Sequence, residues 1–200
     1  METTYIEIDS PDKHLSDVLE EIPSNVILYK TLTGIGATYS EIKAQRHSII
    51  IEPNVPVIIG KCNSAKHKND NLLGVYEGVT TDRIIKYLGA SRGKYYKILT
   101  TPESFTKVKD AFLLFNGKIY NTCFLLIDEA HKTIKDVDYR SDIVLPMNDF
   151  FKFKGKALVS ATPLKFSDPR FEENGFSIIK IEPTYDYAKE IDIKPSTNIL

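Results

Sequence analysis

The sequence predicts an α/β domain with a doubly wound, mostly parallel β-sheet. Between residues 26 and 183, seven short apolar segments alternate mostly with helical patterns, as in βαβ units. Residues 124–127 are apolar at every position, which is typical of a strand buried on both faces of a parallel sheet. A glycine-bearing loop and an acidic loop directly follow two of the strands, at the edge of the sheet where such folds bind ligands.

The composition is ordinary for one large globular domain, with 200 residues of which 42% are hydrophobic and 26% charged. No apolar run approaches the roughly 20 residues that a membrane helix needs. The polar start of the chain does not resemble a signal peptide. Cys62 and Cys123 show no paired spacing, so we expect a reducing, cytoplasmic setting. The net charge of −1 argues against binding nucleic acid through bulk charge, although it leaves room for a local basic groove.

The first 25 residues are expected to form an N-terminal extension, with an extended piece at residues 5–8 and an amphipathic stretch at 14–22. The first core strand, Val26–Lys30, is followed by a loop and by a short helix at residues 37–46. A strand, a glycine-bearing loop and a helix in this order favour a phosphate-binding loop. Gly34 and Gly36 can adopt positive φ, so that successive amides point at phosphate oxygens. The alternative is a glycine turn without a ligand.

The middle of the chain continues the alternation. Strands are expected at residues 48–52, 72–76 and 95–100, and helices at 81–88 and 103–115. Aromatic residues recur at helical spacing in the second helix, which favours the core over a base-stacking surface. A polar segment between the expected strands at residues 48–52 and 72–76 carries Lys61, Lys66, His67 and Lys68. Such a cluster is more often a solvated loop than a phosphate site, and Cys62 with His67 makes too small a ligand set for a metal.

Asp128 and Glu129 follow the buried strand at residues 124–127 directly. Asp128 can hold Mg²⁺ through its water shell, because Mg²⁺ prefers hard oxygen ligands and keeps several waters. Glu129 can orient or deprotonate a water that attacks a phosphoryl group. The alternative is a helix whose acidic first turn complements the helix dipole.

The last segments begin with a strand at residues 157–160, which turns off into Ala161 and Thr162. Residues 164–176 are expected to form a loop, residues 177–182 a final strand, and residues 184–200 the start of a linker.

Three motifs stand in a fixed order along the chain: TGIGAT at residues 33–38, LLIDEAH at 125–131 and SAT at 160–162. Together they resemble the N-terminal RecA-like domain of superfamily 2 helicases and translocases of the DEAD/DEAH type. The resemblance implies a RecA-like P-loop NTPase domain over residues 26–183, with ATP and Mg²⁺ bound between the phosphate loop and the acidic strand.

The resemblance also assigns roles to individual residues. The nucleotide would lie on the phosphate loop, that is on Thr33, Gly34, Ile35, Gly36, Ala37 and Thr38. Thr38 and Asp128 would bind Mg²⁺, while Asp128, Glu129 and His131 would form the catalytic group. Ser160, Ala161 and Thr162 would couple the nucleotide to nucleic acid through His131.

Partners follow from the same resemblance. Asn54 and Thr101 match weakly the two motifs that touch the backbone of a DNA or RNA strand, and Lys66 and Lys68 are candidate phosphate contacts beside them. A motor of this family also needs a second RecA-like domain, in the same or another chain, to supply arginines to the γ-phosphate.

The phosphate loop departs from the family at Ala37, where the family has lysine. Lys30, seven positions earlier, could point a mobile cation back over the same phosphates; alternatively it ends a strand and extends to solvent. Two other functions therefore stay open. One is a catalytically inactive helicase-like binding module. The other is the ATPase domain of a viral DNA-packaging terminase, some of which carry their lysine at the start of the loop; His131 and the SAT motif favour the helicase.

Overall fold

The computed structural model describes residues 1–32, 34–135, 144–163 and 168–186, with the backbone alone at 134–135 and 144–146. Its strands are β1 (Thr3–Ile8), β2 (Val26–Lys30), β3 (His47–Ile51), β4 (Leu72–Val75), β5 (Lys97–Thr100), β6 (Cys123–Ile127), β7 (Gly155–Ser160) and β8 (Ser177–Pro183). Its helices are α1 (Leu15–Val18), α2 (Ala37–Lys43), α3 (Val55–Asn63), α4 (Thr81–Ala90), α5 (Phe105–Phe115), α6 (Ile119–Thr122), α7 (Ala130–Lys135), α8 (Val144–Phe150) and α9 (Arg170–Glu173), and a 3₁₀ turn covers Ala65–His67.

The eight strands form one sheet in the order β1-β8-β2-β7-β6-β3-β5-β4, and every neighbouring pair is parallel. The predicted fold class is confirmed. Helices α1, α2 and α3 bury side chains on one face of the sheet, while α4, α5, α8 and α9 bury theirs on the other. The central strands are covered on both sides, which is why β6 is apolar at every position.

The ends of the chain depart from the predicted elements. Strand β1, within the expected N-terminal extension, pairs with β8 from Thr3↔Ile178 to Ile8↔Pro183 and forms the edge of the sheet. The loop expected at residues 164–176 contains α9, because Phe171 and the nearby Phe176 are buried in an aromatic cluster with Phe150. The proposed linker lies outside the described residues from position 187 onward.

A buried polar network fixes the carboxyl end of α2. Glu41 is fully buried, and its carboxylate accepts hydrogen bonds from Arg46 and Ser48. The Lys97 ammonium donates to the carbonyls of Glu41 and Ala44, both at 2.7 Å, and so satisfies groups that a helix end leaves unpaired. Burial lowers the pKa of Lys97 to about 8. This network holds α2, and with it the phosphate loop, against β3 and β5. Among the described residues, no helix is long and apolar enough to cross a membrane.

Two adjacent residues of α5 differ in burial, and replacing each of them shows which face of this helix stabilises the fold. Phe112 is fully buried, whereas Leu113 is 74% exposed. We expect Phe112→Ala to lower the free energy of unfolding by about 3–5 kcal/mol, because it removes a buried ring and leaves a cavity. Leu113→Ala should change it by less than about 0.5 kcal/mol. Urea denaturation followed by circular dichroism measures both, and Phe112→Leu provides a milder change if the alanine variant does not fold. Equal midpoints for the two alanine variants would contradict the packing.

Candidate active site

Lys30 ends β2 and reaches the acidic end of β6. Strand β7 lies between these two strands, so their axes are roughly 10 Å apart. The Lys30 side chain spans this gap, and its Nζ lies 3.1 Å from Oδ1 of Asp128 and 2.7 Å from Oε1 of Glu129. Lys30 is only 6% exposed. The alternative interpretation, in which this lysine extends to solvent, is therefore wrong.

The Lys30 ammonium stays charged in this position. Burial by itself would lower its pKa, but the carboxylates of Asp128 and Glu129 outweigh burial, and the pKa is raised. A buried charge persists only where opposite charges and hydrogen bonds compensate it. The site therefore keeps one cation beside two carboxylates at the carboxyl edge of the sheet.

Asp128 connects the three parts of the site. Its Oδ1 accepts hydrogen bonds from Lys30 and from the Glu129 amide, the latter at 2.9 Å, and its Oδ2 accepts one from the hydroxyl of Thr38. Thr38 lies in the first turn of α2 and is almost fully buried. The two residues predicted to bind Mg²⁺ are thus adjacent, and both offer the hard oxygen atoms that this ion prefers. In the described part of the chain, no group of three or more acidic, histidine or cysteine side chains is arranged so that it could hold a metal ion by itself, so most of the coordination sphere would come from water and phosphate.

The phosphate loop has the backbone that its glycines predict. Gly34 has a φ of +83° and Gly36 a φ of +89°, both in the left-handed region that favours glycine. Ile35, between them, is buried in the apolar layer, and its carbonyl accepts a hydrogen bond from the Leu15 amide. Ala37 is also almost fully buried. Thr33, the remaining residue assigned to the loop, lies outside the described residues.

Glu129 adopts a left-handed conformation with a φ of +50°. Such a φ is uncommon for a residue other than glycine, and strain of this kind persists where a site needs it. The conformation directs the carboxylate toward two partners, Lys30 at 2.7 Å and Nδ1 of His131 at 3.5 Å. Glu129 therefore lies between Lys30 and His131, the residue predicted to couple a bound nucleotide to the SAT motif.

His131 contacts the SAT motif through its first residue. The Ser160 hydroxyl donates its proton to the Thr162 carbonyl, 2.7 Å away, so His131 donates from Nδ1 to Oγ of Ser160 over 3.1 Å. The Thr162 amide also donates to this oxygen. Ala161 borders a different cavity together with Tyr29 and Lys180. A chain of contacts thus runs from Glu129 through His131 to the loop after β7.

Glu52 belongs to the site but was not predicted. It follows β3, which pairs with β6, and its carboxylate accepts hydrogen bonds from the backbone and side-chain nitrogens of Asn54 at 3.2 and 3.3 Å. Glu52 is 3% exposed, and both its burial and the nearby charge of Asp128 raise its pKa. One signal was present in the sequence: Glu52 follows an apolar strand directly, as Asp128 does.

The predicted nucleic-acid contacts differ in exposure and in surroundings. Asn54 borders the site and is bound to Glu52. Thr101 is 5% exposed, and its hydroxyl accepts a hydrogen bond from the Ser104 amide within a turn. Lys66 and Lys68 are exposed, within and after the 3₁₀ turn.

Lys30, Asp128 and Glu129 line a cavity of about 400 Å³. It is bordered by Lys30, the phosphate loop, the start of α2, the ends of β3 and β6, α3, the 3₁₀ turn and Lys132 of α7. This volume lies within the range of small-molecule sites, which is roughly 300–1,000 Å³.

No protein-family model and no curated protein sequence matches the chain. Solved structures do match it. The structure resembles the Hef helicase domain of Pyrococcus furiosus with a TM-score of 0.55 and 14% sequence identity, over 86% of this chain and 38% of that one. It also resembles a hypothetical ATP-dependent RNA helicase from Sulfolobus tokodaii with a TM-score of 0.52 and 17% identity, over 78% of this chain and 48% of that one. The fold is that of RecA-like helicase domains. The chain spans less than half the length of either structure.

The raised pKa of Glu52 predicts how its replacement changes stability with pH. As pH rises above the ordinary value of 4.5, the unfolded chain loses the Glu52 proton first and the folded protein keeps it longer, so this residue lowers stability through that interval. Glu52→Gln should therefore be more stable than wild type at pH 7 and similar to it at pH 4. Thermal unfolding at both pH values measures this, with Glu77→Gln at an exposed position as control. A loss of stability at pH 7 that exceeds the loss at pH 4 would contradict the assignment.

Proposed function

We propose that the chain is the first motor domain of an ATP-dependent nucleic-acid helicase or translocase, and that its cavity binds the phosphates of Mg²⁺-ATP. The observation that carries this proposal is the position of Lys30, whose Nζ lies between Asp128 and Glu129 at the border of the cavity that the glycine loop also lines. A cation, two carboxylates, a hydroxyl and a glycine loop around one cavity suit a polyphosphate with a divalent metal better than a neutral metabolite.

Lys30 takes over the role of the lysine that the family has at the position of Ala37. In the free protein its charge is compensated by Asp128 and Glu129. When a triphosphate enters, its oxygens compete with these carboxylates for the ammonium group, and a flexible four-carbon side chain can turn without moving β2. Thr38 and Asp128 would hold Mg²⁺, which would supply the positive charge that compensates Asp128 when Lys30 turns to the phosphates.

Glu129 then becomes free to act on water. Its carboxylate leaves the Lys30 ammonium and accepts a hydrogen bond from the attacking water, which it orients or deprotonates. His131 lies 3.5 Å from this carboxylate and hydrogen-bonds Ser160, so a change in the charge partner of Glu129 reaches the loop after β7. This is the route by which nucleotide state would pass to a bound nucleic acid.

The complete activity needs more than this chain. Electrostatic stabilisation of the transferred phosphoryl group is the largest catalytic contribution in sites of this kind. A second RecA-like domain would add its arginines across the cavity, and single-stranded DNA or RNA would bind near Asn54 and the exposed Lys66 and Lys68. We therefore expect residues 1–200 alone to hydrolyse ATP near the background rate.

Two observations support other functions. The absence of lysine at position 37 favours a domain that binds partners without hydrolysing ATP. The lysine at the start of the loop favours a DNA-packaging ATPase of the terminase type. The hydrogen bond between His131 and Ser160 favours the helicase over both, because it provides the coupling that a helicase motor uses.

Replacing Lys30 tests the proposal. Lys30→Met keeps the length of the side chain and removes its charge, so we expect weaker binding of Mg²⁺-ATP by this chain. In the complete motor, turnover should fall on the order of 10²–10³-fold, as for the loss of another preorganised donor. Isothermal titration measures binding, circular dichroism checks folding, and Lys86→Ala on the exposed side of α4 is the control.

Unchanged affinity and turnover in Lys30→Met would end the proposed role of this lysine. Higher nucleotide affinity in Ala37→Lys, with no effect of Lys30→Met, would instead support the catalytically inactive binding module.

A further inference from the structure

The cavity has a second end that the phosphate chemistry does not use. Tyr39 follows Thr38 on α2, and it borders the same cavity as Val57 of α3 and His67 of the 3₁₀ turn. Tyr39 is 37% exposed and Val57 38% exposed, which is high for large apolar side chains next to a cavity. Aromatic and aliphatic side chains distinguish this end from the end at Lys30 and Asp128, and Lys61 of α3 also lines the cavity.

His67 is held in one orientation at this end. It is 7% exposed, and its Nδ1 lies 2.7 Å from a carboxylate oxygen of Asp70. A carboxylate can only accept, so Nδ1 donates, and in the neutral ring Nε2 is left as an acceptor. No other described residue hydrogen-bonds this Nε2, while the ring borders the cavity. An acceptor that faces a cavity can take a hydrogen bond from a ligand or from water.

Asp70 and Tyr39 are themselves fixed. Lys43 donates to both carboxylate oxygens of Asp70, at 2.8 and 2.7 Å. Burial raises the pKa of Asp70, but the hydrogen bonds from Lys43 and His67 outweigh it, and the pKa lies below its usual range. The Tyr39 ring packs at 5.4 Å from the His67 ring, and the Lys43 ammonium lies 5.5 Å from the centre of the Tyr39 ring. Helix α2 and the 3₁₀ turn therefore present a preorganised aromatic wall.

We propose that this wall is the subsite for the base and ribose of the nucleotide, with the base stacked on Tyr39 and against Val57, and a ribose hydroxyl donating to Nε2 of His67. The inference rests on the proposed function and names the half of the ligand that the phosphate loop does not recognise. A bare polyphosphate would leave the aromatic end unused, and a nonpolar ligand would leave the charged end unpaired. A nucleoside triphosphate has both kinds of group in one molecule.

The adjacency of Thr38 and Tyr39 along α2 supports this placement of the phosphates at one end of the cavity and of the base at the other. Thr38 bonds to Asp128 at the metal end, and the next residue of the same helix presents its ring to the other end of the cavity. Stacking on an aromatic ring tolerates any base, because every base has a π-face. The subsite therefore predicts little discrimination among nucleoside triphosphates, and a clear preference for all of them over tripolyphosphate.

The experiment compares the affinities of Mg²⁺-ATP and Mg²⁺-tripolyphosphate in four forms of the 200-residue chain: wild type, Tyr39→Ala, Tyr39→Phe and Tyr95→Ala. Tyr95 is a matched control, since it is 45% exposed and packs on His47 away from the cavity. We expect Tyr39→Ala to weaken ATP binding on the order of tenfold and to leave tripolyphosphate binding unchanged. Tyr39→Phe and Tyr95→Ala should bind both ligands like wild type.

His67 is tested with 2′,3′-dideoxy-ATP. Wild type should bind this analogue more weakly than ATP, and His67→Phe should lose most of that difference, because phenylalanine keeps a ring beside Tyr39 but has no acceptor at the position of Nε2. Circular dichroism confirms that the variant is folded. Equal binding of ATP and its dideoxy analogue by wild type would overturn the ribose contact.

The outcomes separate this inference from the function on which it rests. If tripolyphosphate binds and Tyr39→Ala binds ATP as wild type does, the subsite is wrong and the phosphate site stands. If neither ligand binds wild type, both proposals fall. If Tyr39→Ala weakens binding of a single-stranded oligonucleotide and not of ATP, the wall belongs to a nucleic-acid surface, which also overturns the inference.

Discussion

The ion pairs between Lys30 and the two carboxylates after β6 are the constraint on which the rest of the site depends. Three carboxylates, from Glu52, Asp128 and Glu129, line one cavity. Without a cation among them, their mutual repulsion and the cost of burying charge would destabilise the site. Lys30 supplies that cation from inside the chain, at 3.1 Å from Asp128 and 2.7 Å from Glu129. A metal bound with a triphosphate could displace the Lys30 ammonium from these carboxylates only if the metal compensated their negative charge equally well.

Under the proposed function, this constraint would give the site two states of charge pairing. In the free protein, Lys30 neutralises the acidic strand end and Glu129 is engaged. With Mg²⁺-ATP, the metal would compensate Asp128, Lys30 would move to phosphate, and Glu129 would be released toward water and His131. The strained backbone of Glu129 is consistent with a residue that must change partners, because a strained turn holds the carboxylate in position in both states. Under the proposed function, the departure at Ala37 would reflect a relocated cation, since the charge would come from β2 instead of α2.

The sequence predicted the parts of the site that depend on local order along the chain. The glycine loop and the acidic strand end follow strands directly, so an alternation of strands and helices sufficed to place Gly34, Gly36 and Asp128 at one edge of the sheet. The partners of Lys30 could not be predicted in the same way, because they depend on β7 being inserted between β2 and β6. Glu52 was missed for the same reason, since its proximity to Asp128 follows from the pairing of β3 with β6. Sequence periodicity carries no information on the order of strands in a sheet.

The structures of α9 and of the segment around His67 could also not be predicted from the sequence. Helix α9 was expected to be a loop, because four residues are too few to show a helical period, and only the aromatic cluster that buries Phe171 explains why it forms. His67 lies in a lysine-rich segment that was expected to be solvated. Its burial depends on contacts with Tyr39 and Asp70, and neither the Asp70 hydrogen bond nor the Tyr39 ring contact follows from the composition of the segment.

A crystal structure of the chain with Mg²⁺ and a non-hydrolysable ATP analogue would show whether Lys30 is the cation that binds the phosphates. We expect Nζ of Lys30 to leave Glu129 and to lie within hydrogen-bonding distance of a phosphate oxygen, about 2.7–3.2 Å, while Thr38 and Asp128 hold the metal. A structure in which Lys30 keeps both carboxylates, and Lys61 or Lys132 contacts the phosphates instead, would contradict this expectation.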